Sequence, residues 1–287
     1  IGAKVTARLA RQEHPDQAGP WLATAKIAEA ESDLEAALDA YRKAFDIAPE
    51  TPGLRLKVGN LYMKLGRDAE GRAYLAEVLD DPGTPTEVVY NYAVSLMREK
   101  KFSAAVVPLR RVTRERPDFP GGWRALAQCY RARRQYERAV EAYEQAFALA
   151  PTPELAYNLG VTAGRAGKWD RAVTAYDEAL TLQPAYGEAA YNRAVALMRG
   201  GELSAAAEAF AAYRERDPDH YRAALNHGVT LYKLGRYEEA VDVYNITLEL
   251  KETPEAWDNL GLAYQKLGNE ERAQACFREA KTMRGES

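Results

Sequence analysis

The feature that most constrains this chain is a small residue that returns every 33 or 34 positions. Alanine occupies 37, 105, 139, 172, 206, 240 and 273, and Gly71 completes the series. A second column keeps the same beat as Ala25, Gly59, Ala93, Ala127, Gly160, Ala194, Gly228 and Gly261. Two columns in phase over eight units require a repeating fold in which each unit buries its apolar side on its neighbours. Between Glu154 and Pro184, Ala156, Leu159, Gly160 and Ala163 recur at spacings of three and four, and Ala172, Tyr176 and Ala179 do so again after Gly167. Two helices touching through small side chains, a glycine stop between them and a proline terminator make a helix hairpin.

These letters resemble the tetratricopeptide repeat, W-x2-L-G-x2-Y followed by A-x3-F and P. The fourth unit carries Trp123, Leu126, Tyr130, Ala139, Tyr143 and Pro151, and the eighth Trp257, Leu260, Gly261, Tyr264, Ala273 and Phe277. Units two and six depart most, with Arg55 and Ala190 where the repeat often has tryptophan. The resemblance covers nearly the whole chain. It implies an all-α, right-handed α-solenoid (a superhelix of antiparallel hairpins) forming one domain over 1–287. The repeats fall at about 18–51, 52–85, 86–119, 120–152, 153–186, 187–220, 221–253 and 254–287. Residues 1–17 fit the second helix of a further unit, with Ala3, Ala7 and Ala10 in the small places and Pro15 at its end. Opening on Ile1 and stopping at Ser287 without the polar cap that terminal repeats need, the sequence is expected to be a piece of a longer chain. Left-handed glycines are expected between the paired helices at Gly66, Gly167, Gly201, Gly235 and Gly268.

At 287 residues a single core would approach its upper limit, whereas a solenoid has none. No apolar run approaches eighteen residues, so no membrane insertion is expected. Cys129 and Cys276 lie four units apart, too far for a disulfide in a stacked array. They read as small core fillers, which suits a reducing, cytoplasmic compartment. His14 and His220 fall in loops between repeats, and His227 takes a core place usually held by leucine. No H-E-x-x-H, C-x2-C, P-loop or G-x-S-x-G pattern occurs, so no catalytic residue, metal or cofactor is expected. Asn245-Ile-Thr247 matches a glycosylation acceptor but falls inside an expected helix, which discounts it.

Function then has to come from a surface, and the resemblance implies that the first helix of each unit lines the concave side. Glu87, Asn91, Val94 and Arg98 share one helical face at i, i+4, i+7 and i+11. The face recurs as Glu154, Asn158, Val161, Arg165, then Glu188, Asn192, Val195, Arg199, then Arg222, Asn226, Val229, Lys233, and last Glu255, Asn259, Leu262, Lys266. Tyr90, Tyr157 and Tyr191 stand beside the asparagines. An asparagine amide both donates and accepts, matching a peptide backbone, while tyrosine adds contact area at low entropic cost. Such asparagine rows resemble the concave lining of the repeat region of O-linked N-acetylglucosamine transferase.

Charge is uneven along the chain. Between Arg98 and Arg134 stand eleven basic residues against three acids, a local +8 in a chain whose total is −3. An acidic partner is expected to dock there, with Arg124 and Arg131 on the concave side and Arg110, Arg111 and Arg114 facing outward. Asn60, Asn91 and Arg124 look like part of the carboxylate clamp of chaperone-binding repeats, but Leu56 and Gly121 stand where that clamp has lysines. Three functions follow in order. The first is a protein-binding scaffold holding an extended, acidic segment. The second is the targeting arm of a larger enzyme such as a glycosyltransferase. The third, a nucleic-acid binder using 98–134, ranks last because that stretch lacks a stacking pattern of aromatics.

Overall fold

The computed structural model describes residues 2–285. The described residues form seventeen helices and no strand. After α1 (Gly2–Glu13) the helices come in pairs: α2 (Ala18–Ala30) with α3 (Leu34–Ile47), α4 (Leu54–Lys64) with α5 (Asp68–Leu75), α6 (Thr86–Arg98) with α7 (Phe102–Glu115), and α8 (Pro120–Ala132) with α9 (Tyr136–Leu149). The series continues as α10 (Pro153–Arg165) with α11 (Trp169–Leu182), α12 (Gly187–Gly200) with α13 (Leu203–Arg216), α14 (Tyr221–Lys233) with α15 (Tyr237–Leu250), and α16 (Pro254–Lys266) with α17 (Glu270–Arg284). This is the all-α solenoid that the periodicity predicts. The chain divides into two compact units, Ile1–Leu149 and Ala150–Ser287, so each holds four whole pairs and the first also holds α1.

Both small columns lie where helices touch. The alanines at 37, 105, 139, 172, 206, 240 and 273 are fully buried. At Gly160, Gly228 and Gly261 a β-carbon would stand 2.5–2.6 Å from the ring of Tyr176, Tyr244 or Phe277, so glycine is what lets the ring lie against the backbone. In the second pair Gly59 and Gly71 face each other, and a β-carbon on Gly71 would stand 2.9 Å from the Gly59 carbonyl.

Helix boundaries follow local chemistry. Pro120, Pro153 and Pro254 open α8, α10 and α16, where a missing N–H costs nothing. The Thr152 and Thr253 hydroxyls accept from the backbone N–H of Leu155 and Ala256, and the Asp33 carboxylate from that of Ala36. The five expected glycines do turn left-handed, with φ between 73° and 91°. The other three pairs make the same turn with Ser32, Lys100 and Arg134, at φ 61°, 59° and 58°. These stand in the glycine column, a signal that the 34-residue spacing carries.

Two features differ from the expectation. Helix α5 ends at Leu75 after eight residues, and the chain runs through turns to Pro85. Arg111 does not face outward. It folds over those turns, donating to the carbonyls of Leu79, Asp81 and Thr84 and pairing with Glu115. The early end of α5 leaves turn carbonyls for its guanidinium to satisfy. Asn245 and Thr247 lie within α15 with Thr247 fully buried, as the discounted acceptor requires.

Candidate functional site

In the second unit the first helices α10, α12, α14 and α16 each present the same face. Asn158, Asn192, Asn226 and Asn259 are half-buried on it, and Arg165, Arg199 and Lys233 are exposed near the C-terminal ends. The asparagines are tied from repeat to repeat. Asn192 Nδ2 donates to Tyr157 Oη at 3.2 Å, and Asn226 Nδ2 donates to Tyr191 Oη at 3.0 Å. The partner of each amide sits 35 residues earlier, on the first helix of the preceding pair. Asn158 instead donates to the Glu154 carbonyl one turn back at 2.8 Å. Leu225 stands where a third tyrosine would, so Asn259 gains no such bond.

The tyrosines are themselves wedged. Tyr157 lies 5.1 Å from Tyr186 between ring centroids, and Tyr191 lies 4.8 Å from His220 and 5.7 Å from Tyr213. Burial pushes the Tyr157 and Tyr191 hydroxyls above the usual phenol range, with the donated amide hydrogen bonds opposing it. Both therefore stay neutral, and each ring is held on one side by aromatics and at its hydroxyl by an amide. This sets two braced amides, Asn192 and Asn226, beside a row of cations.

The first unit is built differently. Asn91 is half-buried on α6, but the corresponding place on α8 is Ala125, so Tyr90 has no amide to receive and packs edge-on against Phe119 at 4.9 Å. Arg98 is exposed and engaged, its guanidinium 3.2 Å from the Asp68 carboxylate. Arg124 is exposed and Arg131 half-buried, and both project their fields on the buried Tyr143. Burial raises that hydroxyl and the two cations oppose the rise. The structure thus groups Asn192, Asn226, Tyr157 and Tyr191 by direct bonds in one unit, and Arg124 with Arg131 through Tyr143 in the other.

Sequence reasoning missed the partner of buried His227, the half-buried Arg214, whose Nη1 lies 3.1 Å from His227 Nδ1. Burial, then the Arg214 charge, push the His227 imidazole down to about 4. Neutral His227 therefore accepts from the guanidinium. Cys129 and Cys276 are free thiols in the core, and burial raises both. Among the described residues no group of three or more histidine, cysteine or acidic side chains could hold a metal ion, and no helix is long and apolar enough to cross a membrane.

Family models described as tetratricopeptide repeat match residues 28–88, 120–153, 157–220, 197–256 and 254–286. Among curated proteins, the chain is 25% identical over 164 residues to BBSome complex member BBS4 of Bos taurus, covering 57% of this chain and 32% of that protein. It is 29% identical over 87 residues to cellulose synthase operon protein C of Pseudomonas fluorescens (strain SBW25), covering 30% of this chain and 7% of that protein. The chain thus spans a third or less of these relatives. Among solved structures, MamA shares 22% identity at TM-score 0.53, over 56% of this chain and 95% of that one. YrrB, described as a TPR protein with an unusual peptide-binding site, shares 20% identity at TM-score 0.55, over 64% of this chain and 95% of that one. At these identities the likeness shows the fold.

Proposed function

We infer function from one premise: the chain belongs to the tetratricopeptide-repeat family. It acts as a non-catalytic scaffold for protein–protein interaction, and the first-helix face of the second unit holds an extended peptide segment. The observation that carries this reading is the tyrosine-to-asparagine tie between successive repeats. It holds the Asn192 and Asn226 side chains before any partner arrives, which lowers the cost of ordering them on binding. Arg165, Arg199 and Lys233 border the row, which favours carboxylates on that edge of the segment. Arg124 and Arg131 give the first unit its own cationic patch for an acidic partner.

Fluorescence anisotropy with a labelled peptide of alternating aspartate and alanine tests this. Asn192→Ala with Asn226→Ala is expected to weaken binding by about 0.5–1.5 kcal/mol for each lost bond. Unchanged affinity would move the site off this face. The second reading, a substrate-recognition arm of a larger enzyme such as a glycosyltransferase, is favoured by the greater length of the curated relatives. It uses the same face, and a catalytic domain in the same reading frame would decide for it.

A further inference from the structure

The same four first helices carry charge at both ends of the face. Toward their N-terminal ends stand Glu154, Glu188, Arg222 and Glu255, and toward their C-terminal ends Arg165, Arg199, Lys233 and Lys266. All eight are exposed, and none forms an ion pair with another described residue. Neighbouring charges in this unit do pair, as Arg193 with Asp177 and Arg236 with Glu239. Eleven residues of helix separate the two ends, about 16 Å, so charges on one helix cannot neutralise each other directly. Between the rows lie Val161, Val195 and Val229, half-buried, together with the asparagines.

An extended chain crossing these helices points successive side chains to opposite edges. One edge meets an unbroken row of four cations. The other meets two carboxylates over α10 and α12, a cation over α14 and a carboxylate over α16. A uniformly acidic segment would set half its carboxylates against Glu154 and Glu188, and like charges so placed oppose binding. We propose that the second unit reads its peptide on both edges: over α10 and α12 it selects an extended segment whose side chains alternate acidic toward Arg165 and Arg199 and basic toward Glu154 and Glu188. This deepens the reading of the face given above and rests on it. Glutamate in a first turn and a cation in a last turn also complement the helix dipole, and the experiment separates that role from recognition.

Two fluorescein-labelled eight-residue peptides of equal composition and zero side-chain charge serve as probes, one repeating Glu-Lys and the other repeating Glu-Glu-Lys-Lys. In an extended chain the first segregates its charges by edge and the second mixes them. At low salt the alternating peptide is expected to bind at least tenfold tighter. Arg165→Glu with Arg199→Glu, and separately Glu154→Lys with Glu188→Lys, should each remove that advantage. Combining all four substitutions should restore it, because the peptide can then lie with its edges exchanged. Circular dichroism checks that each variant keeps its helices, and where one does not, the two peptides on the unaltered protein decide. Equal affinity for both peptides overturns the proposal, as does a Glu154→Lys, Glu188→Lys variant that binds as before. If the Glu-Lys peptides are indistinguishable while the aspartate–alanine peptide still responds to Asn192→Ala and Asn226→Ala, the groove stands and two-edged selection falls. If no peptide binds, both fall.

Discussion

Replacing Gly228 by alanine tests the close approach that sets helix spacing in the seventh repeat. The new β-carbon would meet Tyr244 at 2.5 Å from Cε1, 2.7 Å from Cδ1 and 3.0 Å from Cζ. Carbon atoms in contact prefer about 3.5–4.0 Å, so the ring must retreat by about 1 Å. Tyr244 is only 1% exposed and has no open side to retreat into. Overpacking of this kind costs about 1–3 kcal/mol, against which the helix gains up to about 1 kcal/mol by exchanging glycine for alanine. The net expectation is a loss of about 1–2 kcal/mol. Ala127 and Ala194 stand at the matching places above Tyr143 and Phe210, so a hairpin can be built with a methyl there, but only with its own helix spacing. Gly164→Ala is the paired control. Its β-carbon would find its nearest atom, Trp169 Cζ3, at an ordinary 3.5 Å, so the same substitution should stabilise by about 0.5 kcal/mol. Urea unfolding followed by circular dichroism at pH 7 reads both. A Gly228→Ala protein as stable as the parent, or two variants shifting the same way, would refute the packing argument.

Ser32→Gly, Lys100→Gly and Arg134→Gly should each raise the thermal midpoint, by about 0.5–1 kcal/mol of stability, because each relieves a left-handed residue with a β-carbon. Arg111→Ala should cost about 2–3 kcal/mol and raise amide exchange between 76 and 85, and Arg111→Lys should not rescue it, since an ammonium cannot span three carbonyls and Glu115 together. Acidification should destabilise the second unit through His227, whose folded form binds its proton only near pH 4 while the unfolded chain binds it near 6.5. Between those values the unfolded state holds more protons, so stability falls as pH falls, by up to about 3 kcal/mol. His227→Asn keeps an acceptor for Arg214 without the titration, and its urea midpoint should lose that part of the pH dependence.

Much of this molecule was legible before its coordinates. In an array of hairpins most packing is between helices adjacent in the chain, so the periodicity of small residues, the proline stops and the glycine turns are local statements that need no distant partner. They placed all seventeen helices, including the lone α1, and found His227 in the core. Pattern also put asparagine, valine and a cation on one face of α10, α12 and α14. What it could not assign was the engagement of each side chain, which depends on which residue one repeat away comes within 3 Å. Asn192 and Asn226 are held by tyrosines 35 residues earlier, whereas Arg98, in the same row by spacing, reaches across 30 residues to Asp68. Arg111 looked like an outward charge until α5 ended early and left carbonyls for it to satisfy. The sequence by itself determined the hairpins, because their chemistry closes within a few turns of helix. Only the tertiary structure decided which polar side chains brace the stack and which face outward, because a hydrogen bond depends on fractions of an ångström that spacing along the chain does not encode.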